Sequence, residues 1–259
     1  MYSITQEPTP YVEVNRVLLD LLNRVSDVLG ENFIGMYLYG SLAVDGFEPS
    51  RSDIDFVVIT DDHLADPIIK SLESMHIELA RTDDQWVKKL EGAYVPMGLI
   101  RRHDSDHPPV PTLNEGKFYL APLGSDWIFQ RHTLRESECA ISGPPLRDFI
   151  DPVSLKDLKA AIYVVIDEWW EPMLTNPSRL RDPGYQPYAV LSMCRLLYTV
   201  TSGELASKSQ AANWTLGLLP AEWSSLINHA LKWGYGDDIE SIDRTTEFMQ
   251  YVIGLCRRS

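Results

Sequence analysis

The sequence predicts an α+β protein in which an N-terminal α/β domain is followed by an all-α domain. Three observations support this prediction. Strand-like and helical segments alternate over the first hundred residues, Gly143-Pro144-Pro145 interrupts the chain, and beyond residue 152 apolar residues recur at helical spacing. The chain has 259 residues, enough for two domains of ordinary size, and we expect them to cover 1–150 and 151–259.

The elements of the N-terminal domain follow from periodicity and from turn-forming residues. Apolar residues at helical spacing predict one helix over 11–29, ending at Gly30, and another over 64–79. Runs of β-branched and aromatic residues predict strands. These strands cover 33–39, 54–60 and 90–96. Residues 101–116 are rich in proline and are expected to form an irregular connection before strand-like residues 117–120.

The C-terminal domain is predicted from five segments with apolar residues at helical spacing. They cover 154–170, 187–201, 208–218, 221–232 and 241–255.

Composition and charge exclude several classes of protein. Hydrophobic residues make up 44% and charged residues 23%, as in ordinary globular proteins. Asp and Glu outnumber Lys and Arg by 37 to 23, and a net charge of −14 repels a phosphate backbone. We therefore expect no nucleic-acid partner, whereas the same field would attract a cationic small molecule. No apolar run approaches the roughly 20 residues of a membrane helix, so no membrane partner is expected.

The cysteines and the first residues indicate a reduced, cytoplasmic protein. Cys139, Cys194 and Cys256 are odd in number and widely spaced, and no C-x-x-C pair or His cluster accompanies them. The N-terminal residues lack the basic and apolar regions of a secretion signal. We expect the protein to be a monomer.

The most informative segment joins the first two predicted strands. It begins with Gly40-Ser41 at a strand end and closes with Asp53 and Asp55, whose side chains point to the same side of a strand. Two adjacent carboxylates are costly unless a cation compensates, and Mg²⁺ prefers such oxygen ligands. Gly40 has no Cβ to obstruct a phosphate, and the backbone N–H groups and hydroxyl at Ser41 could donate to a nucleoside triphosphate. The alternative is a surface loop with two solvated aspartates.

A Gly-Ser pair followed about a dozen residues later by Asp-x-Asp in a strand resembles the nucleotidyltransferase fold of the DNA polymerase β superfamily. Members of that superfamily use a third carboxylate on a neighbouring strand. Glu91, in the strand predicted over 90–96, is the candidate. Glu78 is the competing choice, but it closes a helical segment, where a solvated helix face explains it better.

The second half of the chain extends the resemblance to one family. Residues 195–214 resemble the C-terminal helical domain of the aminoglycoside (3'')(9) adenylyltransferases, which confer streptomycin and spectinomycin resistance. The matching residues are Arg195, Tyr198, Gly203, Lys208, Ala211, Ala212 and Trp214. The resemblance implies a nucleotidyltransferase domain with a mixed sheet, followed by a helical bundle.

The resemblance also implies a reaction and a set of site residues. The reaction is Mg²⁺-dependent transfer of AMP from ATP to a hydroxyl of an aminoglycoside or aminocyclitol, with release of pyrophosphate. Asp53, Asp55 and Glu91 are implied metal ligands, and Glu91 is also the implied general base, in contact with the acceptor. The implied ATP-binding residues are Gly40, Ser41, Ser52, Arg195 and Lys208.

One segment departs from the family. Residues 172–187 do not reproduce the Trp-then-Asp pattern of members that modify streptomycin. Asp182 is the candidate acceptor ligand there, with Trp169 and Trp170 nearby, although a turn at 182–184 and helix packing explain these residues equally well.

Two other functions stay open. One is nucleotidyl transfer to another acceptor, such as a protein hydroxyl or an RNA end. The negative net charge argues against RNA but not against a protein. The other is a non-catalytic, nucleotide-binding regulatory protein. A decayed site would be expected to lose a metal ligand, and the intact motif argues against that function.

Overall fold

The computed structural model describes residues 7–102, 107–137, 140–182, 184–234, 237 and 241–258. The chain divides between Pro152 and Val153 into two compact units. None of the described helices has both the length and the apolarity needed to cross a membrane. Cys194 and Cys256 are buried free thiols, and Cys139 lies outside the described residues.

The first unit is built on a mixed sheet of six strands. They are β1 (Phe33–Leu38), β2 (Ile54–Thr60), β3 (Leu90–Pro96), β4 (Val110–Asn114), β5 (Lys117–Ala121) and β6 (Ala140–Ser142). Their order is β5-β4-β3-β2-β1-β6, in which β2 and β3 run parallel and the other neighbours antiparallel. The helices of this unit are α1 (Val12–Leu29), α2 (Gly40–Ala43), α3 (Asp66–Ala80), α4 (Met97–Arg101) and α5 (Trp127–Glu136).

The two faces of the sheet bury two different hydrophobic cores. Side chains alternate along β2, so Ile54, Phe56 and Val58 pack with the apolar faces of α1 and α3. Val57 and Ile59 point the other way and pack in a second core that includes Trp127 of α5. Asp55 shares the alternation of Val57, which places its carboxylate on the α5 side of the sheet at the start of the strand.

The second unit is helical throughout its described elements. These are α6 (Leu155–Val165), α7 (Glu171–Thr175), α8 (Tyr185–Ser202), α9 (Lys208–Leu218), α10 (Ser224–Lys232) and α11 (Ile242–Cys256). Helix α8 contacts α9, α10 and α11. Capping boxes of Ser154 with Asp157 and of Ser207 with Gln210 begin α6 and α9, where each side chain satisfies a backbone N–H.

The predicted α+β fold is confirmed, and β2 and β3 have the predicted bounds. Six described elements were not predicted: α2, α4, β4, α5, β6 and α7, of which β4 lies inside the supposed irregular connection. Helix α3 begins at Asp66 rather than at residue 64, because Ala65 is extended and Pro67 occupies the first turn. The helix predicted over 154–170 is α-helical only to Val165 and continues as a π-helical turn.

Candidate active site

The backbone between β1 and β2 brings Gly40 against Asp55. The Tyr39 amide donates to the Asp55 carbonyl at 3.1 Å, which extends the pairing of the two strands. Gly40 then turns with a φ of 61°, in the left-handed region. A Cβ on Gly40 would overlap the Asp55 carboxylate, so both conformation and space require glycine here.

The two predicted serines of the loop differ in their contacts. The Ser41 hydroxyl is buried and has no hydrogen-bond partner among the described protein atoms. A buried hydroxyl without a partner is costly, and a ligand oxygen would satisfy it. Ser52 instead helps to shape the loop, since its hydroxyl accepts from the Glu48 amide at 2.9 Å and its amide donates to the Glu48 carbonyl at 2.8 Å.

The parallel pairing of β2 and β3 places the predicted carboxylates together. Asp55 and Glu91 are register partners, and neighbouring strands lie about 4.8 Å apart with paired side chains on the same face. Burial raises the pKa of Glu91, and the negative charge of Asp53 raises that pKa further. Glu78, the competing candidate, is exposed on α3. The structure therefore places Asp53, Asp55 and Glu91 near one another at the starts of β2 and β3, and their joint role stays a prediction.

The Glu91 side chain is held by the turn between β4 and β5. Its Oε1 accepts a hydrogen bond from the Glu115 amide at 3.2 Å. Its two oxygens also accept from the side-chain amide nitrogen of Asn114, at 2.9 and 3.0 Å, in the amide orientation that satisfies both groups. Hydrogen bonds to the ionised carboxylate stabilise the charged form. These donors therefore oppose the increase in the pKa of Glu91 that burial and Asp53 cause.

Two further side chains at this site were not singled out in the sequence. Burial raises the pKa of the Tyr39 hydroxyl well above its ordinary value, and the negative charges of Asp55, Asp126 and Glu91 add to the increase. Asp126 immediately precedes α5 and therefore brings a fourth carboxylate to this side of the sheet. The Gly124-Ser125-Asp126 sequence, a typical helix start, was the available signal.

The carboxylates suit a divalent cation, but the protein side chains alone do not complete a site. Within the part of the chain that the structure describes, no three His, Cys, Asp or Glu side chains are arranged to hold a metal ion. Glu91 is directed to the turn, which leaves Asp53 and Asp55 as the candidate ligands. Mg²⁺ is commonly bound through one or two carboxylates together with substrate phosphates and water, so these two aspartates fit it.

Comparison with known proteins accounts for this arrangement. Residues 22–111 match the family described as nucleotidyltransferase domain. Residues 148–257 match the family described as aminoglycoside adenylyltransferase, C-terminal domain. Over both units the chain therefore resembles the aminoglycoside adenylyltransferases. It is therefore an enzyme of the nucleotidyltransferase class.

Named relatives cover most of the chain. An aminoglycoside (3'')(9) adenylyltransferase of Escherichia coli is 26% identical over 93% of this chain and 94% of its own length. A spectinomycin 9-adenylyltransferase of Staphylococcus aureus is also 26% identical, over 84% of this chain and 83% of its own. A crystal structure of the spectinomycin adenyltransferase from Enterococcus faecialis with ATP and spectinomycin matches in fold. Its TM-score is 0.73 at 19% identity, and the match covers 93% of this chain and 98% of that one.

The adenylyltransferase residues predicted in the helical unit lie on α8 and α9. Arg195 is half-buried on α8, and Lys208 is the exposed first residue of α9. The Lys208 ammonium lies 5.1 Å from the centre of the Tyr188 ring. Tyr198 and Trp214 meet edge to face at 5.3 Å, in agreement with their predicted packing role. The roles of Arg195 and Lys208 stay predictions.

The segment that departs from the pattern of the aminoglycoside adenylyltransferases has a local structure of its own. Asp182 is exposed, and its Oδ1 accepts from the Gly184 amide at 2.9 Å, which forms a turn before α8. Trp170 is buried, whereas Trp169 is 42% exposed with the Arg179 guanidinium 4.5 Å from its ring centre. The hydrogen bond from the Gly184 amide uses only one carboxylate oxygen of Asp182. Binding of the acceptor by Asp182 therefore stays a prediction.

Proposed function

We propose that this enzyme transfers AMP from ATP to a hydroxyl of an aminocyclitol or aminoglycoside antibiotic, spectinomycin or streptomycin, and releases pyrophosphate. The observation that supports it most directly is the pairing of Glu91 with Asp55 beside the Gly40 turn. The names of the relatives support the substrate class, since they are adenylyltransferases of aminoglycosides and of spectinomycin.

The proposed ATP site uses the turn after β1. The unpartnered Ser41 hydroxyl would donate to a phosphate oxygen, and Gly40 would allow the phosphates to approach the backbone closely. Ser52 would contribute from the other end of the loop. Arg195 and Lys208 of the helical unit are the proposed cations for the triphosphate, because a negatively charged leaving group needs positive charge to balance it.

Asp53 and Asp55 are the proposed ligands of Mg²⁺. When bound, Mg²⁺ would neutralise charge on the phosphates and on the departing pyrophosphate. The further prediction that Glu91 also binds the metal has less support, because its carboxylate already accepts hydrogen bonds from the β4–β5 turn.

Glu91 is the proposed general base. It would accept the proton of the acceptor hydroxyl as that oxygen forms a bond to the α-phosphorus, while the bond from the α-phosphorus to the pyrophosphate oxygen breaks. The raised pKa of Glu91 makes it a stronger base than an exposed glutamate, and such a role commonly contributes about 10²–10⁴-fold in rate. The excess of acidic residues, 37 against 23 basic, would attract a cationic acceptor.

The test follows pyrophosphate release and the mass of the antibiotic. The enzyme is incubated with ATP and Mg²⁺, with spectinomycin, with streptomycin or with neither. We expect drug-dependent pyrophosphate release and a drug product heavier by one AMP group. Glu91→Gln should keep ATP binding, measured by calorimetry, and lose at least about 10²-fold in kcat. Glu78→Gln is the matched control and should retain full activity.

Other outcomes would replace the proposal. Drug-independent labelling of a protein by radioactive ATP would favour a protein hydroxyl as acceptor. ATP binding without any transfer would favour a regulatory protein. Full activity of Glu91→Gln would remove Glu91 from the role of base.

A further inference from the structure

The turn between β4 and β5 has an unusual backbone. Its two central residues, Glu115 and Gly116, have φ angles of 49° and 70°, and Asn114 and Lys117 form the closing pair. Two successive residues in the left-handed region are typical of a two-residue hairpin turn of type I′. Glycine adopts this conformation readily, whereas glutamate adopts it at a cost in free energy. The turn therefore holds the backbone of Glu115 in a conformation that glutamate disfavours.

This turn directs its donors at one carboxylate. The Glu115 amide donates to Oε1 of Glu91, and the Asn114 side chain reaches both carboxylate oxygens. Hydrogen bonds to an ionised carboxylate are stronger than those between neutral groups. A glutamate side chain has three rotatable bonds, and donors to both oxygens restrict it to one orientation.

We propose that Asn114 is a positioning residue, which fixes the Glu91 carboxylate in the orientation from which it accepts the proton of the acceptor hydroxyl. This inference rests on the proposed function of Glu91 as base. A general base must lie within hydrogen-bond reach of the proton it removes, and a displacement of about 1 Å can reduce the rate about 10²-fold. Asn114 itself need not touch either substrate.

The chemistry of the contact predicts an order among variants of Asn114. Asparagine offers amide hydrogens to the carboxylate, serine can offer one hydroxyl hydrogen, and alanine offers none. Aspartate keeps the shape of asparagine but turns a second negative charge toward Glu91. If Asn114 acts by donating hydrogen bonds to Glu91, activity should therefore fall in the order Asn, Ser, Ala, Asp at position 114. A role in hairpin shape alone predicts that the nearly isosteric Asp variant stays closest to the original protein.

The kinetic experiment compares Asn114→Ala, Asn114→Ser and Asn114→Asp with the unmodified enzyme, using ATP and whichever drug the enzyme modifies. We expect Asn114→Ala to lower kcat about tenfold with little change in the KM for ATP, and Asn114→Asp to lower kcat further. Partial recovery in Asn114→Ser would support donation. Lys117→Ala is the matched control on the same turn and should retain kcat. Wild-type kcat in Asn114→Asp would overturn the proposal.

A second measurement does not depend on activity. In the ¹⁵N spectrum of the substrate-free enzyme, the side-chain NH₂ signals of Asn114, assigned from their loss in Asn114→Asp, should move in Glu91→Gln and not in Glu78→Gln. Signals that do not respond to Glu91→Gln would show that the contact is absent, and the proposal would fail. If the signals respond but the unmodified enzyme transfers no AMP to any drug, the proposed function fails with the positioning role, while the contact remains.

Discussion

His76 should make the stability of the first unit depend on pH. It lies on α3 at 5% exposure, and its Nε2 is 2.7 Å from the Tyr94 hydroxyl on β3. The rings of Phe56, Tyr94 and Phe118 surround it at 5.4 to 6.4 Å. Burial in this aromatic cluster lowers the pKa of His76 to about 4. The folded protein therefore keeps the imidazole neutral at mildly acidic pH.

The sign and size of the effect follow from proton linkage. Unfolded chains bind a proton at histidine below a pKa of about 6.5, whereas the folded protein binds it only near 4. The stabilising contribution is thus present above pH 6.5 and is lost as the pH falls through 4. A difference of about 2.5 units corresponds to about 3 kcal/mol in total, of which about 2 kcal/mol is lost between pH 7 and pH 5.

Urea unfolding of the full chain at pH 7 and pH 5 measures this contribution. His76→Gln cannot titrate in this range but can still hydrogen-bond to Tyr94. We expect the unmodified protein to lose about 2 kcal/mol more than His76→Gln between the two pH values. Tyr94→Phe, which keeps the buried histidine and removes its partner, should retain most of the pH dependence. The explanation is wrong if the unmodified protein and His76→Gln show the same pH dependence.

Four further predictions concern the carboxylate site and the turn beside it. Gly40→Ala should lower the free energy of unfolding by about 1–3 kcal/mol and abolish ATP binding, because its Cβ would displace the Asp55 carboxylate; normal calorimetric titration of ATP would contradict this. Activity should fall as the pH drops through the raised pKa of Glu91, so the acidic limb of kcat/KM should lie above the ordinary glutamate value of about 4.3. Glu115→Gln removes a negative charge that raises this pKa and should move the limb to lower pH, whereas an unmoved limb would assign it to another group. Glu115→Asn should do the same and also stabilise the protein by about 0.5–1 kcal/mol in urea unfolding, because asparagine tolerates the left-handed region; equal stability of the two variants would refute the strain argument.

The local sequence pattern was sufficient to predict the central strands of the fold. Strands β2 and β3 are short runs rich in apolar residues, each preceded by a polar residue, and their predicted bounds agree with the structure. Strand β4 was missed because Pro111 and its neighbouring prolines suggest an irregular segment. Its ladder with β3 involves only Thr112 and Leu113, so Pro111 lies outside that short pairing, where its missing N–H costs little.

The composition of the site was partly predictable for the same reason. Asp55 and Glu91 lie at strand positions whose alternation can be counted along the chain, and Asp53 lies one residue before β2 rather than within the strand as predicted. Asn114 and Asp126 could not be found in this way, because each reaches the site through pairings or packing between segments distant in sequence. In a single sequence, Asn114 is one polar residue before Glu115-Gly116, and nothing local shows which carboxylate its amide would meet.

The hairpin that holds Glu91 has no spare length. Two residues separate its closing pair, and side chains change face with every step along a strand. Inserting one residue into β4 would turn the Asn114 amide to the far side of the sheet, even though the tip itself is exposed. Surface loops usually accept such insertions without harm. At this one, a change in length would act on the enzyme as a mutation of its proposed general base.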